Sequence, residues 1–359
     1  MQELTDMPCW FLGANAPKGF FSKFDQLFFA APEGKCILIK GGPGTGKSTM
    51  LKKFAEELGK KNIKTELIFC SADADSLDAV ISDDGRFVAL DATLPHAVEP
   101  KFPGAYEKTL SLYDCWDEDV IFQNRQKIIA LFEKNRRLHE EARRYISAAA
   151  NLLEEASRLA GDSMDSEKVI KTALRICARE IGRKKRRIGT EKQRFLSAVT
   201  EKGVFFLNKT PKILCDKIYF IDDDSGAVSK IFMAAIKKYA LEQGEDIITC
   251  RCPIFPSEKI EHVFIPSLRL GFMTVNKRHK IEVPPYRIIH SRRFFDQKSF
   301  ALNKIKINFA LKSAKKLIEE AALCMKEAKI AHDELESFYI NAMDFSKAEE
   351  KLKKILAEI

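Results

Sequence analysis

Residues 41–48 have the side-chain types and the spacing that bind phosphate. They read GGPGTGKS and fit G-x-x-x-x-G-K-[ST], with the apolar run 36–39 before them and a helical pattern after them. Glycine allows the backbone to wrap round phosphate oxygens, and the consecutive amides then form an anion site at a helix N-terminus. Lys47 adds a cation for the β- and γ-phosphates, and the Ser48 hydroxyl is the natural Mg²⁺ ligand. This segment, the phosphate loop, predicts binding of a nucleoside triphosphate.

A carboxylate should support the Mg²⁺ from the end of a neighbouring buried strand, because ligands bind at the carboxyl edge of open α/β sheets. Residues 87–91 form such a strand and end on Asp91, although an aspartate can also simply begin a loop. Ala92 follows Asp91, so the glutamate that activates water in many ATPases is absent from its usual place. The metal ligands are therefore predicted to be Ser48 and Asp91. The residues predicted to hold the nucleotide are Gly41, Gly42, Pro43, Gly44, Thr45, Gly46, Lys47, Ser48 and Thr49.

Two aspartates leave the second strand at the same predicted edge of the sheet. Asp73 or Asp75 could orient a water molecule or accept a proton from a substrate hydroxyl. Asp75 and Ser76 could equally cap a helix that begins at Leu77. The sequence leaves both interpretations open.

His96 follows the strand that ends at Asp91, within the motif DATLPH, and is suggestive of a sensor of the γ-phosphate. A structural role is the alternative, and His279 recurs at the equivalent place in the second half of the chain. The recurrence of a histidine in a copy without a phosphate loop supports a structural role as much as a functional one. The candidate catalytic residues are therefore Lys47, Asp73, Asp75 and His96.

Length and composition are those of a globular protein with two domains or more. The 359 residues are 45% hydrophobic and 31% charged, without an apolar run long enough to span a membrane. The N-terminus lacks the basic-then-apolar order of a signal peptide. Nine scattered cysteines indicate reduced thiols rather than disulfides or a zinc site. We therefore expect a cytoplasmic protein without a membrane partner.

The net charge of +9 is concentrated in part at residues 183–187, which read RKKRR. Such a run can bind nucleic acid, but no aromatic residues are interleaved with it. A solvated helix end that leads into a linker is the favoured interpretation. Nucleic acid is therefore a partner that the sequence allows but does not favour.

Blocks of the first half return in the same order in the second half. Residues 11–20 resemble 195–204, the strand at 36–40 resembles 217–221, and 87–96 resembles 270–279. The segment aligned with the phosphate loop is 222–229, which reads DDDSGAVS. Three carboxylates replace two glycines and a proline, and Val228 replaces the lysine, so this copy should not bind phosphate.

Each half ends in a long helix followed by a shorter one. Apolar residues recur in steps of three and four from Ile128 to Leu159 and from Ile307 to Ala342. Such seams pack within the chain or bind another copy or another protein. The predicted domains are a phosphate-loop module at 1–118, a helical hairpin with a basic linker at 119–188, a degenerate module at 189–297 and a C-terminal hairpin at 298–359.

Four blocks together resemble one family: FLGAN followed by GF at 11–20, KGGPGTGKST at 40–49, CS-x-D-x-DSLD at 70–78 and D-x-T-x-PH at 91–96. These are similar to bacterial tandem P-loop ATPases over essentially the whole chain. The resemblance implies ATP as the nucleotide and two P-loop-type modules, of which the second often keeps its own phosphate loop in the family. The predicted fold is accordingly α/β, with two tandem parallel-sheet modules that each carry a long α-helical hairpin.

Three classes of function remain open at this stage. The first is an ATPase whose hydrolysis drives the helical arms. The second is a kinase that transfers the γ-phosphoryl group to a small acceptor, with Asp73 or Asp75 as base. The third is a nucleotide-gated protein with little turnover that binds protein or nucleic acid.

Overall fold

The computed structural model describes residues 7–27, 33–182, 184–278 and 281–358. Two residues singled out in the sequence, Arg183 and His279, lie outside these ranges. The first half contains β1 (Cys9–Phe11), β2 (Gly13–Ala16), β3 (Gly19–Ser22), β4 (Lys35–Lys40), α1 (Lys47–Lys60), β5 (Thr65–Phe69), β6 (Leu77–Ser82), β7 (Phe87–Asp91), β8 (Glu107–Ser111), α2 (Glu118–Gln123), α3 (Arg125–Gly161) and α4 (Ser166–Glu180).

The second half largely repeats this order and also ends in a long helix and a shorter one. It contains β9 (Glu191–Arg194), β10 (Ser197–Thr200), β11 (Gly203–Phe206), α5 (Lys209–Leu214), β12 (Lys217–Asp222), α6 (Ala227–Glu242), β13 (Ile247–Arg251), β14 (Ile260–Ile265), β15 (Leu270–Val275), β16 (Arg287–His290), α7 (Gln297–Ala342) and α8 (Phe345–Leu356). Each half therefore supplies one α/β module and one pair of helices.

The two six-stranded sheets have the same topology. Their strand orders are β1-β5-β6-β7-β4-β8 and, read from the other end, β9-β13-β14-β15-β12-β16. In both sheets the strand next to one edge, β4 or β12, lies between two parallel neighbours. This agreement in order and direction is consistent with the predicted duplication.

The prediction of parallel sheets is wrong for one strand of each module, since β6 and β14 run antiparallel to both of their neighbours. The helix that the sequence allowed from Leu77 onward is also absent, because β6 begins at that residue. Residues 77–82 are buried along their whole length and form a strand between β5 and β7. Asp75 caps no helix there. Instead, the turn before β6 is closed by the Ser76 amide, which donates to the Asp73 carbonyl at 3.0 Å.

The long helices α3 and α7 pack against each other in antiparallel directions. Residues near the start of α3, such as Ile128, are buried with Leu335 near the end of α7. Farther along, Ala149 lies in one cluster with Ala314 and Ile318. The Asn135 side chain donates to the Ala328 carbonyl at 2.9 Å and fixes the register. The seams therefore bury each other within the chain, across the two halves rather than in a hairpin of each half.

The shorter helices cross to the opposite module. Helix α4 packs on α6 of the second module, whereas Ala348, Leu352 and Ile355 of α8 belong to the core of the first. Paired backbone bonds mark both crossings. Asp117 N donates to Ala342 O at 2.9 Å and Asp344 N to Cys115 O at 2.7 Å, and the equivalent bonds join 163–165 to 294–296. The two halves thus exchange their C-terminal helices about an approximate two-fold axis.

Across the described ranges, no helix is both long enough and apolar enough to cross a lipid bilayer.

Candidate nucleotide-binding site

The phosphate loop connects the end of β4 to the first turn of α1. Gly44 and Gly46 have φ angles of +66° and +86°, in the left-handed region that favours glycine. The Thr45 hydroxyl donates to the Gly42 carbonyl at 2.8 Å and closes the loop on itself. No side chain of the described residues caps the N-terminus of α1. The loop thus has the local backbone conformation and the helix N-terminus that an anion site requires.

Lys47 and Asp91 come together beside this loop. Asp91 ends β7, and the parallel register of β7 with β4 places it opposite Ile39. Its Oδ2 lies 3.7 Å from Lys47 Nζ, while its Oδ1 accepts hydrogen bonds from Thr93. Lys47 Nζ also donates to the Gly42 carbonyl at 2.7 Å. The lysine therefore bridges the loop and the strand-end carboxylate.

Ser48 lies in the first turn of α1, where its Oγ accepts a hydrogen bond from the Leu77 amide at 3.0 Å. A serine hydroxyl has two lone pairs and one proton, so one lone pair remains for a metal ion. Oδ2 of Asp91, which pairs with Lys47, is the second oxygen of the kind that Mg²⁺ prefers. The two predicted metal ligands thus fit Mg²⁺ in donor chemistry. Thr49 is exposed on α1.

Asp73 is held as a carboxylate by its neighbours. Its Oδ1 accepts from the Asp75 amide at 3.1 Å, and its Oδ2 accepts from Ser76 Oγ and lies 3.2 Å from Lys329 Nζ on α7. Burial raises the pKa of Asp73, but the Asp75 amide, Lys329 and Ser76 outweigh burial and hold that pKa below its usual value. Asp75 is exposed and pairs with Lys202 at 2.7 Å.

The second module reaches this pair of aspartates through Glu201, in the turn between β10 and β11. Side-chain oxygens of Asp73, Asp75 and Glu201 all lie within 4.8 Å of one another. The Glu201 side chain is 10% exposed, and burial raises the pKa of its carboxyl group. The alignment pairs 195–204 with 11–20 but gives no sign that this turn faces the first module, so the sequence analysis missed Glu201.

His96 is buried away from solvent. Its ring stacks on Phe24 with centroids 4.6 Å apart, and its Nε2 lies 3.4 Å from Asp78 Oδ2. Burial lowers the pKa of His96, but the carboxylates of Asp78 and Asp91 outweigh burial and raise it to about 9. A stacked imidazolium paired with a buried carboxylate is the geometry of a structural histidine. Its proximity to Asp91 nevertheless couples it electrostatically to the predicted metal ligand.

Helix α7 lies directly on the phosphate loop, which the sequence analysis did not foresee. Glu336 Oε1 accepts a hydrogen bond from the Gly44 amide at 3.1 Å. A Cβ atom on Gly42 would lie 2.8 Å from the Tyr339 ring, and one on Gly44 would lie 2.8 Å from the Glu336 carbonyl. Glycine is therefore needed at both positions for the helix to approach. The Glu336 carboxylate thus accepts a hydrogen bond from a loop amide that a bound phosphate oxygen would otherwise accept.

Aromatic side chains surround this contact. Trp116 packs edge-on against both Tyr113 and Tyr339, with ring centroids 5.4 and 5.6 Å apart. Tyr113 and Trp116 follow β8, the strand beside β4, and Tyr113 is half exposed. The environment of Trp116 consequently depends on where the end of α7 lies.

In the second module an aspartate side chain lies at the N-terminus of α6, the helix that corresponds to α1. Asp223 is buried, its Oδ2 accepts from the Ser229 amide at 2.8 Å, and its Oδ1 accepts from Ser225 Oγ. Asp222 pairs with His290 and Asp224 with Lys277, both at 2.8 Å. The N-terminus of α6 is thus capped from within, which accords with the expectation that this copy does not bind phosphate.

The basic run beside the second module contacts the chain's own carboxylates. Lys185 pairs with Glu245 at 2.6 Å and Arg187 with Asp246 at 2.5 Å. Of the rest of the run, Arg183 lies outside the described residues, and Lys184 and Arg186 are exposed. Two of its cations therefore bind the linker to the second module, which is consistent with the interpretation of this run as a linker.

No family model matches this chain, and neither the curated proteins nor the solved structures contain a match to it. By its strands and helices the protein is an α/β protein with two six-stranded mixed sheets joined by a pair of long helices. The similarity to tandem P-loop ATPases accordingly rests on the sequence motifs.

Proposed function

We propose that this chain is an Mg²⁺-dependent ATPase with one nucleotide site, at the phosphate loop. The observation that carries the proposal is the approach of Lys47 Nζ to Asp91 Oδ2 beside a loop with two left-handed glycines. The loop amides and Lys47 would hold the phosphates. Ser48 and Asp91 would hold Mg²⁺, which supplies positive charge to the γ-phosphate when bound.

The end of α7 must move when the nucleotide binds. The Glu336 carboxylate and a phosphate oxygen compete for the Gly44 amide, and two anions at one amide repel each other. Tyr339 lies against Gly42 and leaves no room for a group even of methyl size. Nucleotide binding would thus displace the last turns of α7. In this way the site is coupled to the helical arm.

The same movement would change Asp73. Lys329 lies on α7 and forms an ion pair with Asp73, so its departure removes a cause of the lowered pKa. Asp73 would then become a better base for the attacking water. In hydrolysis the water oxygen bonds to the γ-phosphorus as the bond to the bridging oxygen breaks, and ADP leaves while the water proton passes to a base or to solvent.

Calorimetric titration with Mg·ATP tests binding. The wild type should bind one nucleotide per chain, and Lys47→Ala should bind at least tenfold more weakly, because the variant lacks the loop's side-chain cation. Asp91→Asn should weaken the Mg²⁺-dependent part of binding and leave Mg²⁺-free binding unchanged. Wild-type affinity in Lys47→Ala, or two nucleotides bound per chain, would contradict the proposal.

A kinase is the second candidate, and a cavity favours it. This cavity has a volume of about 370 Å³ and adjoins the Asp73–Ser76 turn through Ala74 and Leu77. Its walls are mainly apolar, and Lys52 and Lys209 stand among them. A small acceptor with an apolar body fits this lining. Incubation with γ-labelled ATP and cell extract distinguishes the candidates: free phosphate supports the ATPase, a labelled metabolite supports the kinase, and no turnover supports the nucleotide-gated binder.

A further inference from the structure

Near its start α7 exposes three large apolar side chains. Leu302 is 83% exposed, Ile305 84% and Phe309 67%. Because an α-helix turns by about 100° per residue, positions i, i+3 and i+7 lie on one face, here within about 60° of one another. We call these three residues the apolar stripe. Exposure of this extent means that the side chains stand clear of the rest of the protein.

The helix is fixed beneath the stripe. On the opposite side, Ile307, Ala310 and Ala314 are buried in the cores that join α7 to the second module and to α3. Because of these contacts, the helix cannot easily rotate, and the stripe therefore stays exposed. The chain thus presents the stripe on a rigid helix, and exposed patches of this kind usually mark an interaction surface.

Positive charge surrounds the stripe. Between Asp296 and Glu319 the sequence contains no acidic residue and six lysines, namely Lys298, Lys304, Lys306, Lys312, Lys315 and Lys316. By helix geometry Lys298, Lys306 and Lys312 lie on the face of the stripe, on both of its sides. Glu155 on the adjacent α3 is an acidic group close enough to Lys306 for that charge to help lower its pKa. Glu155 is itself paired with Arg158.

Further cations adjoin the start of the helix. Arg292 and Arg293 precede α7 in the chain, and the Arg293 carbonyl accepts a hydrogen bond from Lys168 Nζ at the start of α4. The positively charged surface therefore extends beyond the apolar stripe. A narrow acidic groove in a protein would contact only part of it, and a second copy of the chain would bring like charges together.

We propose that this face of α7 binds an anionic lipid surface. Leu302, Ile305 and Phe309 insert among the acyl chains near the headgroups, while the surrounding lysines contact lipid phosphates. This is peripheral binding and needs no spanning helix. It replaces the expectation, drawn from the absence of a spanning run, that the protein has no membrane partner. It does not depend on the nucleotide site.

Vesicle co-sedimentation tests the proposal with phosphatidylcholine alone and with about 30% phosphatidylglycerol added. The protein should bind only the anionic vesicles, and binding should weaken as salt rises. The variant Leu302→Gln/Ile305→Gln/Phe309→Gln should bind at least about tenfold more weakly, as should Lys298→Gln/Lys306→Gln/Lys312→Gln. All six side chains are exposed, so unchanged circular dichroism should verify the fold.

Leu323→Gln/Ile330→Gln is the matched control, because these residues are exposed apolar side chains on a later part of the same helix. This control should bind as the wild type does. Three results would overturn the proposal: no binding to anionic vesicles at low salt, equal loss in the control, or a dimer in sedimentation equilibrium that the stripe variant abolishes.

Discussion

Replacing Glu336 by glutamine should tighten nucleotide binding. The Glu336 carboxylate accepts from the Gly44 amide at 3.1 Å, so in the proposed site it must leave before a phosphate oxygen can enter. Glutamine keeps the size and an acceptor oxygen but removes the charge. A charge-assisted hydrogen bond contributes about 1.5–3 kcal/mol, yet this one is longer than the optimum and its side chain is 33% exposed. Discounting for solvent leaves about 1 kcal/mol, or about fivefold in Kd.

Titration of Mg·ATP, followed by calorimetry and by Trp116 fluorescence, measures this gain. Trp116 contacts Tyr339 and should report the movement of α7, whereas the other tryptophan, Trp10, is buried in the core. Glu334→Gln is the control, since it removes the same charge from an exposed position two residues away. Unchanged affinity in Glu336→Gln, or an equal gain in Glu334→Gln, would refute the competition between carboxylate and phosphate.

Two further predictions concern stability, and one concerns the contact between the loop and α7. Asp223→Ala should lower the free energy of unfolding by about 1–2 kcal/mol in chemical denaturation, because α6 loses its cap, whereas Asp224→Ala, at a partly buried position outside the cap, should change it less. Gly42→Ala should shift Trp116 emission without nucleotide, because the new methyl group meets Tyr339. His96 has a folded pKa of about 9, above its unfolded value, so its stabilising contribution is complete below about pH 6.5 and is lost as pH rises through 9. His96→Gln should flatten unfolding free energy across that window, and an unchanged slope would contradict the Asp78 pairing.

Local sequence was sufficient for the phosphate loop and its flanking elements. Glycines, a preceding apolar strand and a following helix specify one short connection, and Asp91 came from the same reasoning about strand ends. Local sequence misled at Leu77, where Asp75 and Ser76 resemble a helix cap. The strand is decided by burial between β5 and β7, which is a tertiary effect that propensity does not report.

Contacts distant in sequence could not be predicted. The periodicity of α3 and α7 shows which face is apolar but not which helix covers it. Glu336 lies 292 positions from Gly44, and its glutamate side chain resembles any other on a solvated helix. Glu201 reaches the Asp73–Ser76 turn only because the two modules are packed together. The completed site therefore depends on how the duplicated halves dock.

That docking would also limit the proposed movement of α7 away from the loop. The modules share one buried core, which includes Phe11 and Phe195, and those two residues exchange backbone hydrogen bonds of 2.9 Å. Arg194 of the second module forms a buried ion pair with Glu66 of the first at 3.0 Å. Breaking such a pair leaves a buried charge without a partner, which is costly, so the modules should stay together. Movement would then be confined to α8 and to the part of α7 from Lys329 onward. The second module holds the start of α7 through 294–296 and so anchors the fixed end of that helix.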